Sequence, residues 1–188
     1  MGISTKFTYE DLQHFPSNGN RYEIVEGDLF VSPAPIPLHQ TIVGNLYAEL
    51  RQHIRKHRLG VVFVAPCDVV LASSTVLEPD IFFVSAARRH IIGEKNLSGP
   101  PDLVVEVLSE SSGRMDRDIK FRQYALHGVP EYWLVDPYGR TVQIFREDTE
   151  GVKRNEYQIA GVLGVDDRLT TPLLPGLSLP VGALWDMG

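Results

Sequence analysis

The stretch that most constrains this chain is Gly99-Pro-Pro-Asp-Leu-Val-Val-Glu-Val-Leu-Ser109. Leu103 to Leu108 form an apolar, β-branched-rich run bounded by Pro-Pro before and Ser-Glu-Ser-Ser after, the pattern of a central strand buried on both faces. Strand alternation sets Leu103, Val105 and Val107 on one face and Val104, Glu106 and Leu108 on the other. Glu106 is therefore a carboxylate inside a buried strand. Left unpaired it costs several kcal/mol at least, so it requires a cation, a metal or a proton.

The 188 residues suit one domain with a sizeable core, and the expectation is a single domain over 1–188. No uncharged apolar run approaches the ~20 residues that span a bilayer, and the N-terminal residues lack the apolar core of a secretory signal. A single cysteine, Cys67, excludes an internal disulfide and a multi-cysteine zinc site and reads as a small buried hydrophobe. A cytoplasmic protein without membrane contact is the expectation. The net charge of −6 argues against nucleic-acid binding through overall charge, but residues 147–188 carry −4 of it. Basic clusters at Arg51 to Arg58, at Arg88-Arg89-His90, and at Arg114, Arg117, Lys120 and Arg122 read first as solvated helix faces.

Thr8 to His14 reads as a short capped helix, and Arg21 to Val25 with Leu29 to Ser32 as a hairpin around Glu-Gly-Asp. Apolar residues at Leu38, Ile42, Leu46, Leu50 and Ile54 predict an amphipathic helix stopped at Gly60, with His39 as a surface or capping residue of its first turn. Val61 to Val64, Asp68 to Leu71 and Glu78 to Val84 read as strands. A helix capped by Ser111-Ser112 should follow Glu106 and run to His127, turning Met115, Ile119 and Leu126 to the core and Asp116, Lys120 and Tyr124 to an adjacent stripe. Val129 to Asp136 and Thr141 to Phe145 then pair as strands, with edge strands and a short helix to finish. The order predicts an α/β fold, a central mixed sheet flanked by the 38–58 and 112–127 helices, with an N-terminal hairpin.

Asp80 opens one strand and Glu106 lies in a neighbouring one. If the strands are adjacent, both carboxylates project from one face near one end. Such oxygens, with backbone carbonyls and water, are what Mg²⁺ accepts, and the ion would compensate the buried Glu106 charge. It would also polarise a phosphate and activate bound water. A lysine usually completes such a site by orienting that water or stabilising phosphorane charge.

Pro79-Asp80 followed by Glu106 resembles the PD-(D/E)XK nuclease constellation, except that Leu108 stands where Glu-x-Lys places its lysine. The wider context is more specific. Gly-Pro-Pro-Asp-Leu-Val-Val-Glu-Val-Leu-Ser, then Asp116, Lys120, Tyr124 and Gly-Val-Pro-Glu-Tyr-Trp-Leu-Val-Asp-Pro, resembles the Uma-type family of putative restriction endonucleases. Arg-Tyr-Glu-Ile-Val-Glu-Gly-Asp-Leu and the late Leu-Pro-Gly-Leu fit it too, so the resemblance spans roughly residues 8–185. It implies a restriction-endonuclease-like fold, Mg²⁺ or Mn²⁺ dependence and phosphodiester hydrolysis, with the lysine moved to the following helix at Lys120. On the residues alone, Asp116 and Lys120 read first as an ordinary i, i+4 helix pair.

The leading expectation is a Mg²⁺-dependent endonuclease acting on DNA, with Asp80 and Glu106 on the metal and Lys120 assisting attack. An isologous C2 homodimer is the default oligomer. A nuclease-fold binding module that has lost the chemistry is the alternative, and the acidic charge and missing in-strand lysine favour it. A glycoside-type acid/base pair is a third, but no aromatic sugar platform accompanies either carboxylate. Asp102 lies ~13 Å along the strand from Glu106 and reads as a cap of the strand start. Glu23 offers an additional ligand or water-orienting acid, Glu26 an exposed turn carboxylate, and Tyr124 either a hydrogen bond in the site or a half-buried core ring.

Overall fold

The computed structural model describes residues 6–109, 115–148 and 155–188. Helix α1 (Tyr9–Leu12) is capped by Thr8, whose N–H and hydroxyl both donate to Asp11 Oδ2, at 2.8 and 2.9 Å. Strands β1 (Arg21–Val25) and β2 (Asp28–Ser32) form the expected hairpin. Glu26 and Gly27 occupy its turn with φ of 51° and 84°, the left-handed pair that two-residue hairpin turns demand. The proline connector then feeds helix α2 (Pro37–His57), with Pro37 in its first turn, where a missing N–H is harmless.

Ile42, Val43, Leu46, Leu50 and Ile54 bury the inner stripe of α2. The helix ends at His57 with Arg58 in the left-handed conformation (φ 55°), two residues before the expected stop at Gly60. Gly60 instead opens strand β3 (Gly60–Val64), where a Cβ would collide with the Val84 carbonyl oxygen. Short strands β4 (Val69–Ala72) and β5 (Thr75–Leu77) follow, then β6 (Ile81–Ser85), a 3₁₀ turn at Ala86–Ile91, β7 (Leu97–Ser98) and β8 (Leu103–Val107). The expected Ser111-Ser112 cap lies outside the described residues. A π-helical segment, Met115–Lys120, leads into α3 (Phe121–Leu126) and then β9 (Glu131–Asp136), β10 (Thr141–Glu147), β11 (Tyr157–Leu163), β12 (Arg168–Leu169), β13 (Leu179–Pro180) and a final 3₁₀ turn.

The central six-stranded sheet runs β11-β10-β9-β8-β6-β3 and is mixed: β8 and β9 are parallel, the other pairs antiparallel. The π segment and α3 supply the crossover that a parallel pair requires. The hairpin extends further than its sequence suggests, forming one side of a five-stranded sheet ordered β2-β1-β5-β4-β7.

Alternation in β8 is borne out. Leu103, Val105 and Val107 pack with the α2 stripe, Trp133 and Val135 in one apolar layer. Val104 and Leu108 join Phe82, Val84, Tyr124 and Tyr132 in a second layer, closed by Val25, Val69 and Leu77 of the five-stranded sheet. Each such fully buried side chain contributes roughly 1.5–3 kcal/mol. One expectation fails here. Leu126 is 53 % exposed, while Asp116, Lys120 and Tyr124 are buried. The wide π turn directs that stripe inward, and single-turn π segments of this kind recur at functional sites.

Candidate active site

Register alone brings the two carboxylates together. In the antiparallel β6–β8 ladder Ile81 faces Val105 and Phe82 faces Val104, so one step further sets Asp80 opposite Glu106 on the same face. Asp80 stays tied to that ladder because its Oδ2 accepts the Val107 N–H at 2.8 Å. Its other contacts come from elements distant in sequence. Arg21 of β1 donates to Oδ1 at 2.8 Å, and His39 Nε2 of α2 lies 3.0 Å from Oδ2.

Glu106 Oε1 accepts from the Tyr124 hydroxyl at 2.7 Å and from Lys120 Nζ at 3.2 Å. Lys120 thus reaches the carboxylates from the helix that follows β8. Its ammonium also lies 2.9 Å from Glu23 Oε1 and 3.3 Å from Asp116 Oδ1. Glu23 accepts the Glu78 N–H at 2.8 Å, which anchors the hairpin to the chain entering β6. The Tyr132 hydroxyl donates to the Asp116 carbonyl at 3.1 Å and so braces the π turn.

The electrostatics follow from one buried ammonium facing three carboxylates. Burial works against the charged Lys120, but Glu106, Glu23 and Asp116 outweigh it and hold its pKa well above the usual lysine range. Glu106 moves the other way for an acid. Burial is the largest cause, Asp116, Asp80 and Glu23 add to it, and the opposing pull of Lys120 does not cancel them, so its pKa lies well above a normal carboxylate. Lys120 is thus held toward its charged form and Glu106 toward its protonated form. Asp80 is also penalised by burial, but the His39 hydrogen bond and charge, Arg21 and the Val107 N–H bring it down to about 2. Glu78 is pushed up to about 7, first by burial and then by Asp68 and Glu23.

Arg21, Glu23, His39, Asp80, Glu106, Asp116 and Lys120 line a cavity of about 300 Å³, together with the Pro33–Ile36 connector and Tyr138. Among the described residues no three His, Cys, Asp or Glu side chains form a closed metal cage. Asp80 and Glu106 nevertheless suit a hard divalent ion: both offer carboxylate oxygens to the cavity, and Glu106 Oε2 accepts no hydrogen bond from a described residue. Such a pair is the kind Mg²⁺ uses when it retains several waters. Acidic groups outnumber the fixed cations Arg21 and Lys120 around the cavity, which favours an added positive charge.

The structure unites Asp80, Glu106 and Lys120 and sets Glu23, Tyr124, His39, Arg21 and Asp116 around them. Glu23 joins them as an acid from the hairpin, and Tyr124 is fully buried with its hydroxyl on Glu106. His39 corrects the surface or capping expectation, being 4 % exposed and bonded to Asp80. The signal was present: the buried stripe Ile42, Val43, Leu46 runs back one turn onto His39. Arg21, which the sequence marks only as a strand residue, shares the Glu23 face of β1 and reaches Asp80. Asp102 sits apart, accepting from Ser85 N–H at 2.7 Å and Arg88 at 3.2 Å, so Arg88 is tied to the strand start. Glu26 is exposed in its turn and bonded to Gln123, and Cys67 is half-buried beside the second apolar layer.

The profile of the Uma2 family, described as putative restriction endonuclease, matches residues 8–182. The chain belongs to the Uma2 family. A crystal structure of a putative nuclease belonging to DUF820, from Anabaena variabilis, is similar in fold, with a TM-score of 0.74 and 19% identity over 95% of this chain and 97% of that one. No curated protein matches this Uma2 chain. No helix among its described residues is long and apolar enough to cross a membrane.

Proposed function

We propose that this Uma2 protein is a Mg²⁺- or Mn²⁺-dependent endonuclease that hydrolyses phosphodiester bonds in DNA. The observation that carries the reading is Lys120 Nζ at 3.2 Å from Glu106, in a cavity that Asp80 also lines. A lysine displaced to the following helix thereby occupies the role left open at Leu108. Membership of a family described by restriction endonuclease, and the fold shared with a putative nuclease, support the same class.

In this reading Asp80 and Glu106 hold the divalent ion, which supplies Lewis-acid polarisation of the phosphate and a more acidic water. The chain's own residues do the rest. Lys120 stays protonated, so it acts as a donor to negative charge developing on the phosphoryl oxygens and not as a general base. Glu23 and Asp116 fix its ammonium, so little reorganisation is needed as charge moves. Tyr124 holds Glu106 Oε1 in place and leaves Oε2 for the cavity. Water attacks phosphorus and releases a proton to solvent as its O–P bond forms, the P–O bond to the leaving ester oxygen breaks, and that oxygen takes up a proton from solvent. A cytoplasmic location and a C2 dimer complete the proposal.

One observation favours the alternative, a nuclease-fold binding module. Arg21 and His39 already engage both oxygens of Asp80. The deciding experiment is cleavage of plasmid and oligonucleotide DNA with Mg²⁺, Mn²⁺ or EDTA, comparing native protein with Glu106→Gln and Glu106→Ala. The nuclease reading expects metal-dependent cleavage lost in both variants. Cleavage retained by Glu106→Ala in nuclease-free protein sinks it.

A further inference from the structure

Asp80 is 2 % and Glu106 1 % exposed, and both line the cavity through which they are reached. The cavity above them, about 300 Å³, is at the lower end of small-ligand sites and on the scale of one nucleotide. A nucleotide held in a duplex keeps its base in the stack and cannot fill a cavity of that size. Chemistry at a recessed centre calls for an unpaired or extruded nucleotide.

The rim carries what such a nucleotide needs. Tyr138 lines the cavity yet is 56 % exposed, and Ile36, also lining it, is 48 % exposed. Neither ring nor side chain is part of either apolar layer. The Tyr138 turn is held rigid, because Asp136 Oδ1 accepts the N–H groups of Tyr138 and Gly139 at 3.0 and 2.9 Å, while Asp136 Oδ2 pairs with Arg117 at 3.0 Å. A fixed, exposed aromatic ring at the mouth of a polar cavity is a base-stacking platform, and stacking on such a ring is tolerant of sequence. Ile36 and the proline connector also line the cavity.

Resting on the nuclease reading, we infer that this site takes single-stranded or unpaired nucleic acid, with a base stacked on Tyr138 while the adjoining phosphodiester reaches Asp80 and Glu106. Selectivity for unpaired segments is then a property of cavity size and rim, independent of base identity.

The test uses fluorescence anisotropy with a labelled single strand and the blunt duplex of the same sequence, in Ca²⁺, together with cleavage of both in Mg²⁺. Native protein should bind the single strand at least about tenfold more tightly. Tyr138→Ala should weaken single-strand binding roughly 5- to 150-fold, Tyr138→Phe should retain it, and duplex binding should change little. Equal affinity for the two substrates, or Tyr138→Ala without effect on the single strand, overturns the inference. The two proposals fail separately. Tyr138-dependent strand binding without cleavage by native protein sinks the hydrolytic reading and leaves this site standing. Equal cleavage of duplex and single strand does the reverse.

Discussion

Lys120 meets Glu106 across fourteen residues of chain, its ammonium 3.2 Å from Oε1, and both side chains are essentially buried. The lysine is the cation on which Glu23, Glu106 and Asp116 converge. Removing one partner of a buried ion pair leaves uncompensated charge, at a cost of about 3–5 kcal/mol. Lys120→Met should therefore lower stability by that order in urea titration at pH 8. The loss should be smaller at pH 5, where a protonated Glu106 leaves less charge uncompensated. An equal loss at both pH values counts against the charge cluster as the cause.

Arg21 competes for the carboxylate that a metal would use. Its guanidinium donates to Asp80 Oδ1 at 2.8 Å. Arg21→Gln should therefore bind Mn²⁺ several-fold more tightly by calorimetry. If the freed guanidinium contacts the substrate phosphate in the native protein, the same variant should cleave more slowly. Weaker Mn²⁺ binding in Arg21→Gln would show that the arginine orients Asp80 for the ion and does not oppose it.

Proton linkage gives a second handle on the metal. Glu106 holds a proton to well above the usual carboxylate range, chiefly through burial, and a ligand must be deprotonated. Affinity for Mn²⁺ should rise with pH, by up to about tenfold per unit while Glu106 is protonated, with proton release visible in buffers of different ionisation enthalpy. A pH-independent affinity excludes Glu106 as the proton-bearing ligand.

Glu78 makes stability itself pH-dependent. Its folded pKa of about 7 lies above its unfolded value near 4.5, so between these the folded state binds the extra proton. Its contribution is complete below about pH 4.5 and is lost as pH rises through about 7. Glu78→Gln should flatten that fall in a Tm series from pH 5 to 8. Asp80 has the opposite sign: its contribution is lost as pH drops from about 3.8 toward 2.

Tyr124→Phe deletes the 2.7 Å hydrogen bond to Glu106 Oε1 with little change in packing. A stability loss of about 1–3 kcal/mol is expected, because the acceptor is buried. Denaturant unfolding at constant m-value checks it.

Much of this arrangement was legible in the residues. Period-two alternation set Glu106 against the apolar face of β8, and the same rule carried Asp80 to its side because the two strands are neighbours. Lys120 and Tyr124 were placed by helical spacing, but the wide π turn, which buries them and exposes Leu126, leaves no mark in apolar periodicity. Arg21, Glu23 and His39 depend on long-range packing of β1 and α2 around the end of the central sheet. Local patterning gives the face and not the partner: the buried α2 stripe runs onto His39, but its contact with Asp80 follows only from the packed fold. The second sheet was missed for a related reason, since Thr75–Leu77 is too short to show a period and is fixed by its neighbours.

The two layers meeting at β8 limit how this protein can change. A one-residue insertion or deletion within Leu103–Val107 would exchange the faces of every residue beyond it, placing a valine in the cavity and a carboxylate beneath α2. Point substitutions there can be absorbed by repacking; shifts of reading along the strand cannot. Length variation among relatives should therefore gather in the connectors around the cavity, where rim residues such as Ile36 and Tyr138 can be exchanged without disturbing the strand that carries Glu106.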